Sequence, residues 1–258
     1  MNQPASPTLP EGAIPAATLV IMRPSATGPD DILMVKRATN MAFAAGAVVF
    51  PGGRVDPDDH IVAREHGLED EADGAARVAA LRETLEETGL AVGWPTLADA
   101  DVAEVRRSLL GGALLSEILR SHGGRITLDT LVPFARWCPN FKEARTFDTR
   151  FYAVAAPSHS HELTVEEAEH SHIFWASAAK TLAMADCGEV SVIFPTRRNL
   201  ERLALSTDFP QFSEHARRFP VELVTPWIEE RGGQSHLCIP GHLGYPVTSE
   251  VMDSVRRG

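Results

Sequence analysis

Aliphatic and β-branched residues fill Ala16 to Met22 and Ile32 to Arg37, with Ser25-Ala26-Thr27-Gly28-Pro29-Asp30 between them. Runs of this kind around a Gly/Pro-rich break predict two strands joined as a hairpin. Ala47 to Phe50 predicts a short buried strand, stopped by Pro51-Gly52-Gly53. From Gly74 the period changes. Ala75, Val78, Leu81, Leu85 and Thr88 recur at three- and four-residue steps, which predicts a helix ending at Gly89. A second helical region spans Asp101 to Ser121 with a break at Gly111-Gly112, and Ile126 to Cys138 and Thr146 to Ala156 read as paired strands joined at Pro139-Asn140. Ala176 to Ala185 and Phe194 to Leu205 read as helices, and Val221 to Ile239 holds two strand-like runs around Arg231-Gly232-Gly233. Helices and strands interleave, and several strands lie close enough to be hairpins. The expected fold is therefore α/β, with a mixed sheet and helices on both faces.

At 258 residues and 44% hydrophobic content, the chain fits one elaborated domain from residue 16 to 258, preceded by a flexible Pro- and Ser-rich tail over residues 1–15. Its 35 acidic and 24 basic side chains give a net charge of −11, which disfavours a nucleic-acid polymer as partner. A small anionic substrate stays open, because bound divalent cations invert the local field. Cys138, Cys187 and Cys238 are sparse and lie far apart in sequence, the apolar stretch Ala13 to Met22 is too short to span a bilayer, and the start lacks a basic region. A cytoplasmic protein without a membrane segment is expected.

The most informative stretch is Arg82-Glu83-Thr84-Leu85-Glu86-Glu87-Thr88-Gly89-Leu90. On a helix, Glu83, Glu86 and Glu87 share one side, while Val78, Leu81 and Leu85 share the other. Three like charges so placed repel one another, and only Arg82 is nearby to relieve them. A hard divalent cation such as Mg²⁺ would do so with oxygen ligands. Taken alone, a solvated acidic face reads the pattern equally well. Upstream, Gly52-Gly53 allows a tight turn after a strand and a close backbone approach to a ligand, although a plain turn has the same composition.

Together these segments resemble the Nudix box, with Gly53 at its first position and Arg82-Glu83, Glu86-Glu87, Gly89 and Leu90 at its last half. The resemblance implies a Nudix-type α/β/α sandwich with extra helices, and a hydrolase acting on a phosphorus-containing anhydride. It implies Glu83, Glu86 and Glu87 as catalytic metal ligands for Mg²⁺, with Mn²⁺ as a substitute. Gly52 would lend a carbonyl to the metal and Arg82 would brace the helix through an ion pair. The box would run from 52 to 90 with an insertion at about 60–74: Asp59 stands where the pattern has Glu, and 22 residues separate it from Arg82. Glu71 or Asp73 could replace Asp59, and Thr84 takes an aliphatic position.

Leu33, Val35, Arg37, Ala38, Gly46 and Phe50 are also similar to the signature preceding the box in the coenzyme A diphosphatase branch, although Met34 departs mildly and Ala42 replaces a signature arginine. With the split box and Arg145 to Phe151, the chain looks like the subgroup of larger peroxisomal coenzyme A diphosphatases, without their Ser-Lys-Leu ending. Arg37 and Arg145 are expected to bind substrate phosphates beside Gly53, since guanidinium forks match phosphate oxygens. Asp148 is expected to pair with a neighbouring Arg. The loop Leu163 to Glu169 is the natural source of a general base, with Glu166 or Glu169 as candidates and Glu166 preferred. His159, His161, His170 and His172 surround it; nothing fixes their separation, imidazole suits magnesium poorly, and their role is left open.

The expected activity is Mg²⁺-dependent hydrolysis of a diphosphate linkage in a nucleoside-diphosphate-linked small molecule, with coenzyme A or an acyl-CoA as the leading substrate. The family resemblance is compatible with a homodimer. The degraded first half of the box keeps a second reading in view, a nucleotide-binding module of the same fold that does not cut.

Overall fold

The computed structural model describes residues 8–37, 46–68, 70–139, 146–157 and 172–252. Its centre is strand β1 (Ile14–Arg23), in which side chains alternate between two apolar faces. Ala17, Leu19 and Ile21 enter one core, and Val20 and Met22 enter the other. The strand begins at Ile14, two residues ahead of the expected boundary.

One whole edge of β1 pairs in parallel with β6 (Phe147–Ala155). Its other edge is shared between two strands. β2 (Asp31–Lys36) pairs antiparallel only at Met22 and Arg23, closing the expected hairpin. The strands then part, and β4 (Gly52–Arg54) takes the vacated edge opposite Ala16, Ala17 and Thr18. This fork is where the candidate site residues gather. β3 (Val48–Val49) and β7 (His172–Ser177) flank β2, whereas β5 (Val132–Trp137) extends the sheet beyond β6 and β8 (Leu223–Val224) closes that side. The sheet is mixed, as its interleaved pattern predicted.

On the face of Leu19 and Ile21 lie α1 (Pro57–Glu65), α2 (Glu71–Thr88), α3 (Asp99–Leu110) and α4 (Leu115–Ser121). The opposite core includes residues of α5 (Ala178–Asp186), α6 (Phe194–Leu203) and α7 (Phe209–Arg217). A separate three-stranded antiparallel sheet joins β9 (Trp227–Arg231), β10 (Gln234–Cys238) and β11 (Ser249–Val251). Among the described residues, no helix is long and apolar enough to cross a membrane.

One expectation needs correction. Residues 126–131 are not a strand: the Arg77 guanidinium donates to the carbonyls of Leu128 and Leu131, and Thr127 N–H goes to Gly93. Side-chain and loop partners thus satisfy backbone groups that a ladder would otherwise claim. The charged insertion is largely helical. Asp56 precedes Pro57, which starts α1 with its fixed φ, and Asp70 caps α2 by accepting from the N–H groups of Ala72 and Asp73. Asp58 carries α1 onto α4, accepting from Ser116 N and Oγ at 2.9 and 2.6 Å.

Candidate active site

Helix α2 lies over the fork with its C-terminal half against β4. The contact is close because position 53 has no side chain: a Cβ there would sit 2.3 to 2.5 Å from all three atoms of the Glu83 carboxylate. At Gly52 a Cβ would meet the Ala17 carbonyl at 2.3 Å. Gly53 is therefore needed for close approach of backbone to carboxylate, and Gly52 for close approach of β4 to β1. Gly52 N–H donates to Glu87 Oε2 at 3.1 Å, anchoring the second carboxylate to the same bend.

Arg82 organises the remainder. Its Nε and Nη2 donate to the two Asp59 oxygens at 3.0 and 2.9 Å, a fork held beneath a fully buried carboxylate. Nη2 also reaches the Arg54 carbonyl, and Nη1 bridges Glu83 Oε1 and Glu86 Oε1 at 3.0 and 3.3 Å. Asp59, although 23 residues upstream, thus stands beside Arg82. Glu71 instead pairs with Arg64, and Asp73 with Arg77 and Arg150. Burial works to lower the Arg82 pKa, but its bonds to Asp59 and the carboxylates around it outweigh this and raise it.

One guanidinium does not balance this many carboxylates. Burial pushes Glu83 up to about 6, against the pull of Arg82 and with the repulsion of Glu86 added. Glu87 is pushed up to about 7, again by burial first; the Gly52 N–H and the Arg37 charge oppose the shift, and Glu83 adds to it. Glu86 is raised for the same leading reason. Such carboxylates are under-compensated, and this donor set fits a hard divalent cation, which needs oxygen ligands and surplus negative charge. Among the described residues no group of three His, Cys, Asp or Glu side chains forms a ready-made metal cage; Arg82 engages both Glu83 and Glu86 instead.

Arg37 follows β2 on the other side of the fork. Its N–H donates to the Ala47 carbonyl, while its side-chain Nε is buried without a hydrogen-bond partner among the described residues. Arg145, Glu166, Glu169, His159, His161 and His170 lie outside the described residues. His172 contributes its backbone to β7, opposite Lys36. Asp148 accepts a two-pronged bond from Arg136 at 2.8 and 2.7 Å. Arg106 on α3 had no place in the sequence reading, yet its Nε donates to the Glu86 carbonyl and its Nη2 to the Glu87 carbonyl. A contact made by backbone atoms 20 residues away has no pattern to announce it.

The fold agrees with the similarities found among known proteins. Residues 13–109 match the NUDIX domain family. A solved NUDIX hydrolase from Alicyclobacillus acidocaldarius is 30% identical, with a TM-score of 0.68 over 78% of this chain and 96% of that one. A Caenorhabditis elegans protein bearing the name nudix hydrolase 7 is 27% identical across 88% of this chain and 73% of its own length. The chain belongs to the Nudix family, and it is a Nudix hydrolase.

Proposed function

We propose that this hydrolase cuts the diphosphate linkage of a nucleoside-diphosphate-linked small molecule in a Mg²⁺-dependent reaction, Mn²⁺ serving as substitute, with coenzyme A or an acyl-CoA as the leading substrate. The observation that carries the reading is the under-compensated set Glu83, Glu86 and Glu87, held against the Gly52–Gly53 bend by Arg82 and the Gly52 amide. These three carboxylates, with the Gly52 carbonyl, would hold the cation. When bound, a divalent cation neutralises phosphate charge and acidifies an attacking water.

The protein's own groups do the remaining work in this reading. Arg82 keeps Glu83 and Glu86 in register. Gly53 leaves room for the Glu83 carboxylate and a close phosphate approach. Arg37 brings a buried, unsatisfied N–H and a positive charge close enough to act on Glu87, suited to a phosphate oxygen. Arg145 would add a second guanidinium and Glu166 would collect the proton of the water. The box is read as split, with the remainder of α1 and the first part of α2 lying between Asp59 and Arg82. The resemblance around Leu33 to Phe50 is what favours the coenzyme A branch.

The test compares the wild type with Glu86→Gln and Glu87→Gln on coenzyme A, ADP-ribose and NADH, with and without Mg²⁺, identifying products by mass spectrometry. Each variant should lose about 10²- to 10³-fold in kcat, as other deletions of transition-state electrostatics do. Full activity in either variant removes the site assignment, and cleavage of ADP-ribose but not coenzyme A removes the substrate.

A further inference from the structure

Helix α2 ends under unfavourable conditions. Glu86 and Glu87 lie in its last turn, where the macrodipole is already negative, and that turn contains no basic residue of its own. The last carbonyls of a helix also lack intrahelical partners. The first of them, of Leu85, is satisfied locally by the Gly89 N–H at 2.9 Å. The next two, of Glu86 and Glu87, receive the Arg106 fork, Nε at 2.9 Å and Nη2 at 3.4 Å. These are the carbonyls of two residues whose carboxylates face the candidate cation site.

Arg106 is well placed to hold that end still. It sits on α3 next to Val105, which is 1% exposed, and one turn from Leu109, so its backbone is fixed in the core. A Cβ at Gly89 would lie 3.5 Å from Arg106 Nη1, so the guanidinium also covers the left-handed residue that stops the helix. The fork grips backbone rather than carboxylate and leaves the Glu86 and Glu87 oxygens to other partners.

We infer that Arg106 is a positioning residue of the metal site: by capping the Glu86 and Glu87 carbonyls from a neighbouring helix, it keeps both carboxylates in cation-binding register. This rests on the reading that Glu83, Glu86 and Glu87 hold a divalent cation. Groups that orient ligands from outside the coordination sphere typically cost 10- to 100-fold in metal affinity when removed. The positive charge alone would act the other way, repelling a cation, so a loss of affinity on its removal reports geometry.

The experiment is calorimetric titration of the full chain with Mn²⁺, below the melting temperature, for the wild type, Glu87→Gln, Arg106→Met and Arg106→Lys. Arg106→Met should weaken Mn²⁺ binding about 10-fold. Arg106→Lys, which can satisfy one carbonyl, should weaken it by roughly a third of that factor. Affinity within twofold of wild type in Arg106→Met overturns the inference while the metal site stands. Wild-type affinity in Arg106→Lys alone overturns the two-carbonyl role, and decides the matter if the Met variant does not fold. A wild type that binds no Mn²⁺, or a Glu87→Gln variant that binds it equally well, removes the metal-site reading itself.

Discussion

Arg82 and Gly53 show how two single residues set the geometry of the candidate site. Arg82 is 8% exposed and spends five hydrogen bonds on Asp59, Glu83, Glu86 and the Arg54 carbonyl, so its side chain has one available pose. Gly53 acts by omission, since any side chain there meets the Glu83 carboxylate. Gly53→Ala should leave the circular dichroism spectrum unchanged and lower kcat by roughly 10²-fold, the scale of a 1 Å misplacement of a reacting group. Turnover within threefold of wild type would show that the carboxylate can move aside at no cost. The Arg82-Glu83…Glu86-Glu87 spacing was legible because it is local and periodic. Asp59 was not, since its partner lies across an insertion and nothing in a linear pattern chooses between it, Glu71 and Asp73.

At the scale of the element, α2 carries half-buried acids that cost the fold stability once ionised. Glu83 and Glu87 have folded pKa values of about 6 and about 7, above the ordinary 4.5. The folded state therefore holds more protons than the unfolded chain between these values, and the contribution of these groups falls as pH rises through that window. In EDTA, the wild type should lose stability from pH 5 to pH 7.5, while Glu87→Gln, which has no proton to lose, should show a slope shallower by on the order of 2 kcal/mol across the range. Urea denaturation at each pH measures it; parallel slopes would mean that Glu87 is solvated. Other elements were unevenly legible. α7 was missed although Asp208 caps it and Pro follows, because its apolar stripe of Phe209, Phe212 and Ala216 is diluted by polar neighbours. Residues 126–131 read as a strand because their apolar content is strand-like, but a long-range arginine claims their carbonyls.

The whole molecule has two cores separated by one sheet, and they differ in how they treat charge. The α2 side gathers Asp59, Arg82, Glu83, Glu86 and Glu87 at the fork. The other side buries Arg202 completely, with Nη1 on the Phe134 carbonyl at 2.7 Å and the guanidinium near the rings of Phe134, Phe219 and Tyr245. Burial lowers its pKa, and no carboxylate bonds to it among the described residues. Such a cation is expensive to desolvate, so Arg202→Met should cost less stability than Arg202→Ala, which should lose about 3 kcal/mol through the cavity and the orphaned carbonyl. Equal losses in urea unfolding would show that the charge itself contributes. At this scale the mixed sheet and the β9–β10 hairpin were readable from strand spacing. The divided edge of β1 was not, because a strand changing partners midway leaves no mark on its own sequence.

The tight seat of the Glu83 carboxylate over Gly53 also limits how this enzyme can drift. Positions 53 and 83 occupy one shared space, so neither can be altered freely in descent. A lineage that acquired alanine at 53 would be under pressure to shorten 83 to aspartate, drawing the acid back by one methylene. The paired change should recover part of what either substitution forfeits alone.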